Sequence, residues 1–283
     1  MKYSEPSARP TLGVVAISRN EEKDLPGFFE HLLPWVDEIV IVDDGSTDRT
    51  AELARAAGAK VKFITSPRKP GEFYSHQRNK GIDAATSDWL LHMDIDERLT
   101  PELATEITAA IRDPSKDAYR YRRLDFSLHR PLRGLWRPWN HIQLARRTRL
   151  RFEGKIHETG LLEPHAGRVG QLEQFMWHLK EADYVERVRK NLTYMQAEAE
   201  KMLERGARIR WFDFLIHPIW RALKFYFVHG GFRHGVVGVL DGMFVLTSTF
   251  NWYATAWDRA NAIRREEVEC QLRQLWQRKG TAQ

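Results

Sequence analysis

The stretch "EIVIVDDGSTDRTAELARAAGAKVKFIT", residues 38–65, decides the fold of the first half of the chain. Its apolar, β-branched start predicts a buried strand, and the two aspartates and the glycine that follow predict a turn. The next segment predicts a helix that Ser46 or Thr47 caps and Gly58 ends, and "KVKFITS" predicts a second strand. This order is typical of a βαβ unit, in which the two strands are parallel.

The same alternation of strands and helices runs over residues 11–112. "TLGVVAIS" and "DWLLHMD" predict two more strands, and "TPELATEITAAIRD" predicts a helix with Thr100 as its N-cap and Pro101 at its first position. Repeated βαβ units predict a mostly parallel sheet flanked by helices, and such sheets bind ligands beyond the carboxyl ends of their strands. The acids that follow two of the strands, Asp43–Asp44 and Asp94–Asp96, are therefore expected to line one crevice.

The acids of "LLHMDIDERLT", residues 90–100, need a neutralising partner because neighbouring carboxylates repel one another. Hard cations such as Mg²⁺ and Mn²⁺ take one or two carboxylates together with phosphate oxygens, which favours a metal bound under a diphosphate. The alternative is that Asp96 and Glu97 only cap the helix that begins near Pro101.

The pattern changes after residue 115. "DAYRYRRLDFSL" alternates like a strand, "HIQLARRTRLRFEGKIHETGLLE" predicts two strands around a turn, and residues 183–205 predict a long amphipathic helix. The predicted organisation is a tail over 1–10, a ligand-binding half over 11–112, an acceptor-binding and catalytic half over 113–182, and a helical, aromatic-rich extension over 183–283.

Charge and composition indicate the kind of partner. The chain of 283 residues has a net charge of +6, and eleven arginines lie between residues 112 and 151 against three acids. They could face nucleic acid, anionic lipid or a phosphorylated substrate. Because Asp241 and Asn251 interrupt the apolar run over 235–255, an interfacial segment is favoured over a membrane span, with a helical core as the alternative. Cys270 alone allows no internal disulfide and no signal peptide is recognised, so the cytoplasm is expected.

Three motifs, "VVAISRNEE", "IVIVDDGSTDRT" and "HQRNKGIDAATSDWLLHMDIDE", occur in this order within residues 10–110. Together they resemble the family 2 glycosyltransferases, which have the nucleotide-sugar-binding fold called GT-A. The resemblance implies that Ser18 lies in the donor site and that Asp44 accepts the ring N–H of the nucleotide base. It implies further that Arg78 faces the base or phosphate, that Asp94 faces the ribose or the metal, and that Asp96 holds Mn²⁺ or Mg²⁺.

The same resemblance implies an inverting reaction, in which an acceptor hydroxyl attacks while the nucleotide diphosphate leaves. A general base must then lie within reach of the acceptor. "FEGKIHETG" resembles a segment of a bacterial subgroup that adds glucose or heptose to lipopolysaccharide core, so Glu158 is the first candidate base and Asp125 the reserve. His157 and His178 are candidates for binding the diphosphate or completing the metal shell.

The expected donor is a nucleotide-diphosphate sugar, with uridine favoured, and the expected acceptor is a glycan or glycolipid. Arg19 stands where an aromatic could stack on the base, so adenosine and guanosine stay open. The arginines and the aromatic tail predict a peripheral enzyme on the anionic inner face of the cytoplasmic membrane. A polyprenyl-phosphate glycosyltransferase remains an alternative, and a nucleotidyltransferase is a second. An inactive scaffold and nucleic-acid binding are disfavoured, because the acidic crevice argues against both.

Overall fold

The computed structural model describes residues 9–128, 130–132, 139–154, 159–162, 168–179, 183–263 and 265–280. The described chain forms two compact units, of which the first lies within Met1–Arg133 and Arg137–Lys180 and the second within Glu181–Gln283. Among these residues, no helix is both long enough and apolar enough to cross a bilayer.

The first unit contains a nine-stranded sheet and a separate two-stranded ribbon. The strands are β1 (Leu12–Ser18), β2 (Glu38–Asp43), β3 (Val61–Thr65), β4 (Trp89–His92), β5 (Glu97–Leu99), β6 (Ala118–Ser127), β7 (Arg130–Pro131), β8 (Trp139–Arg146), β9 (Leu150–Glu153), β10 (Thr159–Leu162) and β11 (Val169–Leu179). The sheet has the order β3-β2-β1-β4-β8-β6-β11-β5, with β7 on β6, and β9 and β10 form the ribbon.

Six strands of the large sheet run in one direction. The first four pair in parallel, β8 is antiparallel to both β4 and β6, and β11 is parallel to β6. Strands β6 and β11 therefore point the same way as β1 to β4, and their carboxyl ends lie at the same edge. The predicted mostly parallel sheet is confirmed, and it includes strands from both sides of residue 112.

Helices cover both faces of this sheet: α1 (Leu25–Leu32), α2 (Thr50–Ala56), α3 (Tyr74–Ala84) and α4 (Pro101–Ala110). Along β1, Val14 faces the core beneath α1, α2 and α4, whereas Val15 faces the core beneath α3 and the ribbon. A Cβ on Gly81 would lie 2.4 Å from a Val15 methyl carbon, so only glycine lets α3 pack this closely. Burial on both faces explains the continuous apolar runs of the central strands.

Two local predictions differ in outcome. Thr100 caps α4 as predicted, because its hydroxyl accepts a hydrogen bond from the backbone N–H of Leu103 at 3.2 Å. The predicted cap of α2 is wrong, since this helix begins at Thr50 and the hydroxyl of Ser46 bonds to Asp43 instead. The carboxylate of Asp43, at the end of β2, thus binds the hydroxyl group that was predicted to cap α2.

The region after residue 139 also corrects the prediction. The segment over 141–163 was predicted to hold two strands, but β8, β9 and β10 fall within or overlap it, and neither the short strand β5 nor the strand β11 was predicted. Glu97 begins β5, which pairs with β11, so Glu97 is a strand residue and does not cap α4. Strands of three or four residues carry too few side chains to show an alternation.

The second unit is helical and consists of α5 (Tyr184–Glu204), α6 (Asp213–Leu223), α7 (Val236–Asn261) and α8 (Arg265–Gly280). The predicted long helix corresponds to α5, and Asp183 caps it by accepting the backbone N–H of Glu186 at 2.8 Å. A π-helical turn (Lys224–Val228) and a 3₁₀ turn (Gly231–His234) connect α6 to α7. A buried ion pair between Arg187 and Asp241 joins α5 to α7.

Candidate active site

Acidic side chains gather where β1, β2 and β4 end. The register pairs Ser18 with Asp43 across β1 and β2, and β4 ends just before Met93 and Asp94. The carboxyl ends of β6 and β11 add Asp125 and His178, which pair with each other across the two strands. The predicted acids therefore lie at the carboxyl edge of the sheet, five strands contribute side chains to that edge, and a shared crevice stays a prediction.

The turn after β2 is held by Asp43. This carboxylate is 2% exposed and accepts hydrogen bonds from the hydroxyls of Ser18 (2.8 Å) and Ser46 (2.5 Å). It also accepts the backbone N–H groups of Gly45 (3.0 Å) and Ser46 (2.9 Å). Gly45 has a φ of +78°, which side chains disfavour, so glycine suits this turn. Asp43 is a structural residue, and the donor-contacting role of Ser18 stays a prediction.

Asp44 lies beside two arginines. Its carboxylate accepts the backbone N–H of Arg68 at 2.7 Å and the guanidinium Nε of Arg68 at 2.8 Å, and Arg19 Nη1 lies 3.4 Å away. Burial alone would raise the pKa of Asp44, but the hydrogen bonds from Arg68 outweigh it and lower the pKa. The guanidinium of Arg68 also stacks over the ring of Tyr74, 4.0 Å from the centroid. Asp44 is consequently an ionised acceptor in a fixed orientation.

Two arginines hold Asp94 and Glu97. Arg78 Nη2 donates to Asp94 Oδ1 at 2.7 Å, and Arg123 Nη1 lies 3.9 Å from Asp94 Oδ2. Burial opposes ionisation of Asp94, yet these two cations lower its pKa. Arg123 Nη1 also donates to Glu97 Oε1 at 3.1 Å, while Glu97 Oε2 accepts the backbone N–H of Asp94. Burial and the neighbouring Asp94 raise the pKa of Glu97 to about 7.

His178 bridges two further acids. Its Nδ1 lies 2.9 Å from Asp125 Oδ1, and its Nε2 lies 3.2 Å from Asp96 Oδ2. Burial by itself would lower the pKa of His178, but the hydrogen bonds to Asp125 and Asp96 raise it to about 9. The imidazole is therefore protonated at neutral pH and donates a hydrogen bond to each carboxylate.

Asp96 and His178 form a donor set that fits a hard divalent cation. The 3.2 Å between Asp96 Oδ2 and His178 Nε2 is the hydrogen bond described above, and once His178 is neutral these two atoms are ligand types that Mn²⁺ and Mg²⁺ accept. In the described part of the chain, no group of three metal-ligating side chains converges. The remaining ligands would have to come from substrate oxygens and water. Asp125 lies where a carboxylate orients a metal-binding histidine through its other nitrogen.

The structure brings together most of the predicted site residues. Asp44 lies at the end of β2, and Arg78, Asp94, Asp96, Asp125 and His178 form one cluster beside β4, β6 and β11. The roles predicted for these side chains are not tested by the geometry alone. His157 and Glu158 lie outside the described residues.

Two contributing residues were missed by the sequence reasoning, Arg68 and Arg123, while Glu97 was recognised only as one of the neighbouring acids or as a helix cap. Arg123 is one of eleven arginines between residues 112 and 151, and only the register of β6 singles it out. Arg68 follows β3, and β3 pairs in parallel with β2, which ends next to Asp44. The pairing of these two strands was the signal that could have placed Arg68 near Asp44.

Comparison with known proteins identifies the class. The glycosyl transferase family 2 profile matches residues 13–165, more than half of the chain, so the chain belongs to this family. The parallel sheet with its acidic carboxyl edge is accordingly a GT-A fold, as expected, and the protein is a glycosyltransferase.

Individual relatives cover most of the chain. It is 29% identical to the lipopolysaccharide core biosynthesis glycosyltransferase LpsC of Rhizobium meliloti over 82% of this chain and 86% of that protein. It is 24% identical to an uncharacterized glycosyltransferase of Rickettsia felis over 92% of this chain and 94% of the relative. Among solved structures, S. aureus TarS matches 90% of this chain and 93% of that chain with a TM-score of 0.45 and 14% identity.

Proposed function

We propose that this glycosyltransferase inverts the anomeric carbon while moving a sugar from a nucleotide-diphosphate sugar to a hydroxyl of a cell-envelope glycan, such as lipopolysaccharide core. The observation that carries the proposal is the Asp96–His178–Asp125 chain of hydrogen bonds beside Asp94 and Arg78, at the carboxyl edge of the sheet. The similarity to LpsC supports the choice of acceptor.

Asp44 is the proposed contact to the nucleotide base. A carboxylate offers about four lone pairs, and Asp44 uses three of them on Arg68 and Arg19. The remaining lone pair can accept a ring N–H, which uracil offers at N3 and guanine at N1 and which the pairing edge of adenine lacks. Uridine is the base favoured in this proposal. The side chain of Arg19 is 62% exposed, so it is free to lie against the base in place of an aromatic ring.

Asp96 and His178 are the proposed protein ligands of Mn²⁺ or Mg²⁺, which when bound supplies positive charge next to the leaving diphosphate. His178 must give up a proton before it can act as a ligand, because only the neutral imidazole has a free lone pair. Arg78 donates to Asp94 and holds this carboxylate at the edge of the site. In the proposed arrangement Asp94 faces the ribose or the metal.

In the proposed reaction the acceptor oxygen forms a bond to the anomeric carbon as the bond from that carbon to the diphosphate breaks. The hydroxyl proton passes to a general base, for which Glu158 is the first candidate and Asp125 the second. The hydrogen bond between Asp125 and His178 also suits an orienting role, which favours Glu158 as the base.

One other class of acceptor is supported by an observation. A polyprenyl phosphate is the second candidate, and the observation that favours it is the exposed apolar and basic surface of the second unit. Family membership sets aside the nucleotidyltransferase alternative.

The proposal is tested first by donor binding. Titrating uridine, adenosine and guanosine diphosphates by calorimetry, with Mn²⁺ or with EDTA, should show metal-dependent binding of uridine diphosphate. Asp96→Asn should weaken that binding by at least about 10-fold, whereas Asp258→Asn on an exposed part of α7 should leave it unchanged. If Asp96→Asn binds uridine diphosphate with the same metal-dependent affinity as the unaltered protein, Asp96 is not a ligand of the metal.

Transfer is tested with the preferred sugar donor and isolated core oligosaccharide. NMR of the product should show an anomeric configuration opposite to that of the donor, and retention would refute the proposed mechanism. A parallel reaction with polyprenyl phosphate separates the two acceptors, because only one of them should become glycosylated.

A further inference from the structure

The second unit presents two apolar stripes to solvent. Helices α6 and α7 pack together through aromatic side chains: Phe214 lies 6.0 Å from Phe250, and His217 stacks on Tyr253 at 4.9 Å between ring centroids. On α6 these contacts lie on the side opposite the exposed residues, and on α7 they lie in the second half of the helix. Large apolar side chains elsewhere on both helices are exposed, so packing between the two helices does not account for them.

The exposed residues of each helix lie on one face. On α6 they follow the spacing i, i+1, i+4, i+5 and i+8, and on α7 the spacing i, i+3, i+4 and i+7, both of which describe a stripe along a helix. They are Leu215, Ile216, Ile219, Trp220 and Leu223 on α6, and Val236, Val239, Leu240 and Met243 on α7, where Phe250 and Trp257 continue the same face at i+14 and i+21. Phe227, Val228 and Phe232 extend the exposed apolar surface through the connecting turns.

Within residues 208–257 the exposed formal charge is positive, and the next residue, Asp258, is an exposed acid. Residues 208–257 contain five arginines and lysines, all exposed: Arg208, Arg210, Arg221, Lys224 and Arg233. The same segment contains two acids, Asp213 and Asp241, and both are buried, at 7% and 2% exposed. Asp213 accepts the backbone N–H of Arg210, and Asp241 pairs with Arg187 of α5. Asp213 also lies 3.9 Å from Arg210 Nε and so pairs with one of the exposed cations, which leaves the positive charges in excess over this segment.

We propose that this surface, formed by the exposed apolar and basic residues within 208–257 and called here the α6–α7 surface, docks on an anionic lipid bilayer. Apolar stripes with tryptophan and phenylalanine enter the boundary between headgroups and acyl chains, and nearby lysine and arginine side chains bind anionic headgroups.

The positive charge of the α6–α7 surface favours anionic lipid over a second copy of the chain or a nucleic acid as its partner. Two copies of the chain meeting through this surface would bring like charges together, which costs free energy in a desolvated interface. A nucleic acid would neutralise the cations but would leave the aliphatic stripe of α6 exposed to water. Anionic lipid satisfies the cations and the stripes at once.

Vesicle flotation tests the proposal directly. The full-length protein should float with vesicles containing phosphatidylcholine and phosphatidylglycerol and should stay unbound with phosphatidylcholine alone. Lys224→Gln combined with Arg233→Gln should weaken binding about 30-fold, because each cation near an anionic surface contributes about 5-fold. Arg55→Gln combined with Arg112→Gln removes the same charge from exposed positions of the first unit and should change binding less than about 2-fold.

A second variant separates apolar insertion from attraction between charges. Ile216→Ser combined with Ile219→Ser changes side chains that are 58% and 46% exposed, so the fold should persist, as circular dichroism can verify. Binding should fall more than about 10-fold, including at high salt, where attraction between charges is screened.

Several outcomes would overturn the docking proposal. They are absent or equal binding to the two vesicle types, an equal loss in the Arg55 and Arg112 control, or unchanged binding of the isoleucine variant. A dimer in sedimentation velocity that the isoleucine variant abolishes would identify a second copy as the occupant. Flotation with EDTA and without nucleotide keeps this test independent of the proposed reaction.

Discussion

Replacing Arg123 with methionine removes the cation that faces three carboxylates of the site. Arg123 Nη1 lies 3.1 Å from Glu97 and 3.9 Å from Asp94, and its Nε lies 3.9 Å from Asp125. Methionine has a similar length and fills the same space, so the change is one of charge more than of volume. Glu97, at 1% exposed, would be left as a buried acid without its cation.

The magnitude follows from distance and burial. Two unit charges 3.1 Å apart attract with about 5 kcal/mol at an effective dielectric constant of about 20. Removing one partner of a buried pair typically costs about 3–5 kcal/mol, because the remaining charge stays desolvated. We therefore expect Arg123→Met to lower the free energy of unfolding by about 3–5 kcal/mol at pH 8, where Glu97 is ionised.

The loss of unfolding free energy in Arg123→Met should depend on pH. The pKa of Glu97 in the folded chain is about 7, above the ordinary value of 4.5, so the folded state binds more protons than the unfolded state between these values. The carboxyl group therefore lowers stability as the pH rises through this window. Arg123 lowers the pKa of Glu97, so its removal raises that pKa further. At pH 5.5 Glu97 is mostly protonated, and the expected loss shrinks to about 1–2 kcal/mol.

Urea unfolding followed by circular dichroism at pH 5.5 and pH 8, with EDTA present, measures both values. Arg120→Met on the same strand, where the arginine is exposed, should change stability by less than about 0.5 kcal/mol at either pH. A loss in Arg123→Met that is below 1 kcal/mol at pH 8, or that does not change between the two pH values, would refute the reasoning.

Two further predictions concern other contacts. Thr100→Ala should destabilise the chain by about 1–2 kcal/mol in urea unfolding, since the hydroxyl caps α4 and donates to the carbonyl of Phe175 at 3.1 Å; a loss under 0.3 kcal/mol would contradict the cap. The pKa of His178 is raised from 6.5 to about 9, so its charge stabilises the fold fully below pH 6.5 and this contribution disappears as the pH rises through 9. His178→Asn should therefore cost more at pH 6 than at pH 9.5, and a loss equal at both pH values would exclude the two carboxylate contacts as its cause.

Sequence reasoning succeeded where the signal is local. The strands β1 to β4 are apolar runs, Thr100 precedes a proline and an acidic first turn, and Asp183 precedes an amphipathic helix, so a few neighbouring residues decide each element. It failed for β5 and for the ribbon of β9 and β10, because strands of three or four residues depend on their partners, and it also missed the longer strand β11.

The sequence by itself determined the alternation of strands and helices, the carboxyl edge and the acids that lie on it. Only the tertiary structure decided which side chains meet those acids: His178 lies 82 positions from Asp96 and 53 from Asp125, and Arg123 lies 26 positions from Glu97. These neighbours are brought together by the register of β5, β11 and β6, and register depends on the burial of whole strand faces. Local patterns therefore predict the elements, while the electrostatics of the site arises from pairing between distant segments.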